Sequence, residues 1–229
     1  MKWSELEMID NDADRSILLL PGWATDWRIF RGLRPATNLV STRSFLPDDY
    51  LPAARKYLQQ TETEPVIVAG WSLGAFAAVD LANCMPEQVD GVILLGARRS
   101  YPDEEIATVR KRLEKSVHGC LRRFYRECFL PPQKEDYKRF RSDLMQTYLE
   151  EMEASQLLAG LDYLADQELT IADAPPCRTL FVHGGNDAVA PMEEARWLAN
   201  RMERAQMLVA GAGHAAFLSP EFEAVLNDV

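Results

Sequence analysis

Histidine is scarce in this chain and cysteine follows no pattern, and both shortages narrow the chemistry open to it. Only His118, His183 and His214 are available as imidazole bases. Cys84, Cys120, Cys128 and Cys177 show no Cys-x-x-Cys spacing and no His cluster. That argues against a zinc site or a disulfide framework, so no metal is expected. No apolar run approaches the roughly 20 residues of a membrane span. Met1 to Arg15 is acidic and broken, with neither the basic n-region nor the apolar h-region of a secretory leader. A cytoplasmic location is the expected one. Positive charge is also in deficit, at 25 Lys+Arg against 35 Asp+Glu, a net charge of -10. General affinity for nucleic acid or an anionic membrane surface is therefore not expected. Internal repeats and low-complexity segments are lacking as well. The remainder, 229 residues with 47% hydrophobic content, suits one globular domain with a substantial core.

The informative stretch is Pro65 to Gly74, Pro-Val-Ile-Val-Ala-Gly-Trp-Ser-Leu-Gly. Val66 to Ala69 reads as a buried strand, and Ala75 to Ala82 reads as a helix that follows at once. Between them, Gly70-Trp71-Ser72-Leu73-Gly74 is a Gly-x-Ser-x-Gly motif in its strand, sharp turn, helix context. Such a turn lifts the Ser72 Oγ clear of the sheet only if its neighbours are small, a demand that Gly70 and Gly74 meet. The helix N-terminus then aims the Leu73 N–H at a developing oxyanion. Taken alone, the pentapeptide fits a buried junction with an incidental serine equally well.

A base and an acid in the expected order tip the balance. Arg178 to His183 reads as a buried strand that ends in Gly184-Gly185-Asn186-Asp187, a polar turn where an open α/β sheet places its chemistry. Asp187 is the candidate acid. Ala205 to Val209 is a last short strand, and His214 follows it in a loop of small residues, free to reach Ser72. His118, on a charged helical stretch, and His183, at a strand end, read as structural. The order Ser72, Asp187, His214 is that of a nucleophile, an orienting acid and a general base on this type of sheet.

Upstream, Ser16 to Leu20 reads as a buried strand closed by Pro21-Gly22-Trp23, which alone reads as a strand-ending turn with Trp23 as packing. Beside the Ser72 motif, the architecture that motif belongs to makes the Trp23 N–H a second oxyanion donor. Asn38 to Phe45 carries a weaker strand signal, Tyr50 to Gln60 a helix, and Val92 to Leu95 a clean strand whose C-terminal loop should open onto the site. From Arg98 to Glu168 the strand signals stop. Ile106, Val109, Leu113, Val117, Leu121 and Phe124 recur at steps of three or four, as on one amphipathic helical face. After Pro131-Pro132 the periodicity resumes through Tyr137, Phe140, Leu144 and Tyr148. The expected organisation is a core of residues 1–97 and 169–229, with a helical cap of 98–168 over the site. Charge separates along the same line, because residues 97–148 hold 13 Lys+Arg against 8 Asp+Glu. Arg122, Arg123 and Arg126, with Lys138, Arg139 and Arg141, are either solvated helix faces or a docking surface for an acidic partner at the pocket mouth.

On the strength of Pro21-Gly22-Trp23, Gly70 to Gly74, Gly185-Asn186-Asp187 and Gly213-His214-Ala215-Ala216-Phe217, the whole chain resembles a small α/β-hydrolase. That resemblance implies a mostly parallel central sheet flanked by helices, with a helical cap. Within the superfamily the chain most resembles the pimeloyl-acyl-carrier-protein methyl ester esterases of biotin synthesis. The similarity lies in the Gly-Trp loop, the Gly-Trp-Ser-Leu-Gly elbow, Leu157 to Leu169 and the His-Ala-x-Phe-Leu-Ser run from His214 to Ser219. One departure is Pro21-Gly22, where the familiar loop reads His-Gly. The resemblance implies a serine esterase that forms an acyl-enzyme without a cofactor, and basic cap residues that receive an acidic carrier protein. A generic short-chain carboxylesterase or thioesterase, a carbon–carbon bond hydrolase and a non-turnover ligand receptor share the same constellation.

Overall fold

The computed structural model describes residues 5–9, 11, 13, 15–33, 37–61, 65–129 and 131–228. Its strands are β1 Leu6–Ile9, β2 Ser16–Leu20, β3 Asn38–Thr42, β4 Val66–Trp71, β5 Val89–Leu95, β6 Arg178–Gly184 and β7 Ala205–Ala210. They form one sheet in the order β1-β3-β2-β4-β5-β6-β7, parallel throughout except for β1, which runs antiparallel to β3. The expected strands all form. β1 is an addition within the stretch 1–15, part of which lies outside the described residues. It is only four residues long and lies at the sheet edge, with Leu6 buried, Met8 exposed and Glu7 and Ile9 half-buried, so it carries little sequence signal.

Continuous apolar runs mark the strands covered on both faces, and Leu18, Leu19, Leu20, Val68 and Leu94 are wholly buried. Helices α1 Pro47–Gln60, α2 Leu73–Cys84, α8 Met192–Ala199 and α9 Pro220–Asn227 accompany the sheet. α2 is rich in alanine, and Ala75, Ala77, Ala78 and Ala82 let it lie close on β4 and β5. From β2 the chain moves outward to β3, and from β4 it moves the opposite way to β5. The crevice between the C-terminal ends of β2 and β4 is thus the point where the winding reverses.

Between β5 and β6 lie α3 Asp103–Lys115, α4 Val117–Cys128, α5 Lys134–Asp143, α6 Met145–Glu151 and α7 Ala154–Ala165. The Ile106 to Phe124 periodicity does not form one helix, which corrects the sequence reading. Ser116 adopts an extended backbone, and its hydroxyl caps α4 by accepting from the Gly119 N–H at 3.0 Å. A serine hydroxyl that satisfies an otherwise unpaired helix N–H compensates for the break. α5 and α6 are likewise separated at Leu144. The segment closes on itself at its base, where the Leu169 N–H donates to the Arg99 carbonyl at 2.7 Å and Ser100 bridges to Glu168.

Candidate active site

Ser72 sits between β4 and α2 with φ 53° and ψ -113°, a left-handed conformation that a residue with a Cβ adopts only under compulsion. The compulsion is steric. A Cβ at position 70 would lie 2.2 Å from the Gly74 carbonyl oxygen, and one at position 74 would lie 2.4 Å from that of Leu20. Only glycine at both ends lets the turn close this tightly. β5 holds the turn from its other side, since the Ser72 N–H donates to the Leu95 carbonyl at 2.8 Å. The loop after β2 lies against it, because a Cβ on Gly22 would come within 3.3 Å of the Ser72 Cβ. Leu73 is the first residue of α2, where a backbone N–H has no partner in a preceding turn. Trp23 is buried, and its indole N–H donates to the Leu157 carbonyl of α7 at 2.9 Å. A Cβ on Gly160 would fall 2.7 Å from the same ring, so α7 packs directly on this loop.

Asp187 and His214 meet at the ends of β6 and β7. His214 Nδ1 lies 2.8 Å from Asp187 Oδ2, and both side chains are fully buried. The other oxygen, Oδ1, accepts from the Val189 and Ala190 N–H groups at 2.8 Å each. Burial alone would raise the Asp187 pKa, yet the attraction and hydrogen bond of His214, with His183 and the Ala190 N–H, hold it below the ordinary carboxylate range. An ionised Asp187 can accept from a proton on Nδ1, the tautomer that leaves a lone pair on Nε2. Gly96, at φ 56°, makes room for the ring, since a Cβ there would lie 2.9 Å from His214 Nδ1. Around the imidazole, Trp71 Nε1 donates to the His214 carbonyl at 2.9 Å.

The Ser72 to His214 hydrogen bond expected from sequence is not made in this structure. Among the described residues Nε2 of His214 is buried without a partner, and Ser72 Oγ instead pairs with the Tyr101 hydroxyl at 3.1 Å. Sequence reasoning missed Tyr101, although it foresaw that the loop after β5 would open onto the site. Burial pushes its phenol up to about 12, with the Ser72 hydrogen bond and the Arg98 guanidinium working against the rise. The Arg98 guanidinium stands 4.8 Å from the centre of the Tyr101 ring and is itself held by Glu105 and Glu194. Gln133 was missed too. It is a buried amide following Pro131-Pro132 that contacts the backbone on either side of His214.

His183 is a packing residue with a charge-sensitive position. Its Nε2 lies 3.0 Å from the Ala190 carbonyl and 3.4 Å from Asp187 Oδ2. Burial lowers its pKa, and Asp187 only partly offsets this. His118 is exposed on α4.

Ser72 opens into a cavity of about 360 Å³ whose apolar walls include Trp23, Phe124, Leu161, Leu164 and Val189. Its polar lining is Glu104, Glu105, Thr108, Arg112 and Glu127, together with Ser72 and Tyr101. The six basic residues do not gather at this cavity. Arg122 and Arg126 are exposed on α4 without an ion-pair partner among the described residues. Arg123 pairs with Glu127 at 2.8 Å, and Lys138 and Arg139 pair within α5 with Glu135 and Asp136. Arg141 lies 5.9 Å from the Tyr137 ring centre, and Arg139 lines a separate cavity of about 280 Å³. Among the described residues no cluster of three His, Cys, Asp or Glu is placed to hold a metal ion, and no helix is long and apolar enough to cross a membrane.

The site can be set beside known proteins. The model of the alpha/beta hydrolase family matches residues 17–225. A pimeloyl-[acyl-carrier protein] methyl ester esterase of Aromatoleum aromaticum is 29% identical, over 92% of this chain and 95% of its own. Among solved structures, a bromoperoxidase from Bacillus anthracis superimposes with a TM-score of 0.81 at 15% identity, covering 96% of this chain and 91% of the other. An esterase from Exiguobacterium antarcticum does so at 0.78 and 18%, with the same coverage. At such identities the solved structures speak for the fold, and the family match over nearly the whole chain speaks for descent. With its mostly parallel sheet and its glycine-bounded Ser72 turn, the chain belongs to the alpha/beta hydrolase family.

Proposed function

We propose that this protein is a serine carboxylic ester hydrolase that works through an acyl-enzyme, and that its substrate is the methyl ester of a pimeloyl group carried on acyl-carrier protein. One observation carries the catalytic part: a serine held at φ 53° in the crevice where the sheet winding reverses, beside a buried Asp187 and His214 pair 2.8 Å apart. The relatives named pimeloyl-[acyl-carrier protein] methyl ester esterase support the substrate. Residues 98–168 act as a cap over the cavity, and the expected setting is the cytoplasm, within biotin synthesis.

In this reading Tyr101 releases Ser72 Oγ as substrate enters, and His214 Nε2 accepts the Ser72 proton while Oγ bonds to the ester carbon. The carbonyl electron pair moves to oxygen, where the Trp23 and Leu73 N–H groups receive it. The carbonyl re-forms and methoxide departs, protonated by His214 to methanol. Water, deprotonated by His214, then attacks the acyl-enzyme and frees the carboxylic acid and Ser72. Asp187 keeps the imidazole tautomer and stabilises its cation throughout.

Arg122 and Arg126, exposed on the outer face of α4, are the proposed landing point for an acidic carrier. A generic short-chain esterase or thioesterase is the second reading, favoured by Glu104, Glu105 and Glu127 in the cavity lining, which repel an acidic partner at that opening. Hydrolysis of methyl pimeloyl-acyl-carrier protein beside p-nitrophenyl butyrate separates the two. Reversal of Arg122 and Arg126 to Glu should lower kcat/KM for the carrier-bound ester by about tenfold or more, as for charges that steer an encounter, and leave the small ester unchanged. Turnover of small esters alone would support the generic reading.

A further inference from the structure

The loop that carries His214 is fastened to the helical segment by one side chain. The amide of Gln133, in the link between α4 and α5, reaches the backbone on both sides of the histidine. Its Oε1 accepts from the Gly213 N–H at 2.9 Å, and its Nε2 donates to the Ala215 carbonyl at 2.9 Å. The end of α4 adds a third tie, since the Cys128 carbonyl accepts from the Ala215 N–H at 3.1 Å. Gln133 is only 5% exposed, and its own carbonyl accepts from the Tyr137 N–H as α5 begins. The bracket therefore rests on a fixed support.

A primary amide is the side chain this geometry requires. It presents an acceptor and a donor on one planar group, so it can satisfy an N–H and a C=O two residues apart. An apolar side chain of equal length would offer neither. The two contacts also differ in what their loss leaves behind. The Ala215 carbonyl retains the Leu218 N–H at 3.0 Å, whereas the buried Gly213 N–H has its partner in Gln133.

From this bracket we infer that Gln133 is a positioning residue for the general base: it sets the backbone of 213–215 so that His214 Nε2 faces Ser72. The inference rests on the serine hydrolase reading above. It makes the alignment of the base a property of the helical segment as well as of the core. Whatever moves the α4 to α5 link moves the histidine with it.

The test compares Gln133→Met, of similar length but without donor or acceptor, and Gln133→Asn, which keeps the amide but is too short to span both contacts. Each is assayed with p-nitrophenyl butyrate and with a fluorophosphonate that labels an activated serine. Misplacing the base by up to about 1 Å should lower kcat by about 10 to 100-fold and slow Ser72 labelling equally. KM should stay within about twofold, because the acyl cavity is untouched. A purely structural glutamine would lower the melting temperature and leave kcat of the folded protein unchanged, and that result in either variant overturns the inference. If one variant fails to fold, the other decides. Wild-type protein that resists the fluorophosphonate overturns the hydrolase reading itself, whereas labelling of wild type and variants at one rate overturns only the role of Gln133.

Discussion

Gly96→Ala tests how closely the imidazole is fitted to its surroundings. The added Cβ would stand 2.9 Å from His214 Nδ1, 3.0 Å from its Cε1 and 3.4 Å from Asp187 Oδ2. Ordinary contact begins near 3.4 Å, so the ring must retreat by about half an ångström, in a core too dense to yield freely. The backbone adds its own cost, because φ at this position is +56°. For a residue with a Cβ that costs about 1 to 2 kcal/mol. In a chain of this size each kcal/mol lowers the melting temperature by about 2 to 4 °C, so the expected fall is about 2 to 8 °C. Activity should suffer more. A displacement of that size in the proposed general base is expected to lower kcat/KM for p-nitrophenyl butyrate by about tenfold, and by no more than about 100-fold. The assay is run well below the melting transition of both proteins. Gly32→Ala is the control, since a Cβ there meets nothing within 4 Å. A folded Gly96→Ala variant with wild-type turnover, or a Gly32→Ala variant that loses as much, would refute the reasoning.

Three further outcomes are expected. His214→Ala should lower kcat by about 10³-fold or more, measured against the same ester, and near wild-type turnover would remove His214 from the mechanism. Tyr101→Phe removes the hydroxyl that holds Ser72 Oγ at 3.1 Å and should raise the fluorophosphonate labelling rate up to about tenfold, the worth of one neutral hydrogen bond; a slower rate would give Tyr101 a positive role in the reaction. His183 concerns stability and pH. Burial holds its pKa below the ordinary value of 6.5, so on acidification the unfolded chain takes up a proton before the native one does. Its contribution is complete above that pH and is lost as pH falls through 6.5 toward the lower native value. The slope is at most about 1.4 kcal/mol per pH unit, and Asp187, ionised across this window, adds nothing to it. His183→Gln, which keeps a donor for the Ala190 carbonyl, should flatten the fall in urea midpoint between about pH 7 and about pH 5.5. An unchanged slope would count against a buried neutral His183.

Much of this architecture was legible because the steric demands are local. Gly70 and Gly74 announce a tight turn, and the apolar runs at 17–20, 66–69, 92–95 and 180–182 announce buried strands. Asp187 could be read from its place at a strand end, and His214 from the shortage of other imidazoles. β1 was illegible because four residues at a sheet edge are too short a run to show a strand period. The break at Ser116 left the helical periodicity unchanged, and only the hydroxyl three residues before Gly119 hinted at a new cap. Tyr101 and Gln133 could not be found from spacing at all. Their roles depend on where a long connection folds back over the sheet, and a lone Tyr or Gln in sequence has many equally good places to go. The basic residues left two readings open from sequence, solvated helix faces or a docking surface. They cluster in sequence, yet pairing within α4 and α5 accounts for three of them: Arg123, Lys138 and Arg139.

The central claim is that Ser72 becomes acylated during turnover, and acid quench followed by intact mass measurement tests it most directly. Wild-type protein mixed with p-nitrophenyl butyrate and quenched in the steady state should carry one butyryl group, mapped by peptide analysis to Ser72, with an initial burst of p-nitrophenol. Ser72→Ala should show neither the adduct nor the burst. Turnover that persists in Ser72→Ala, or an adduct on another residue, would contradict the account.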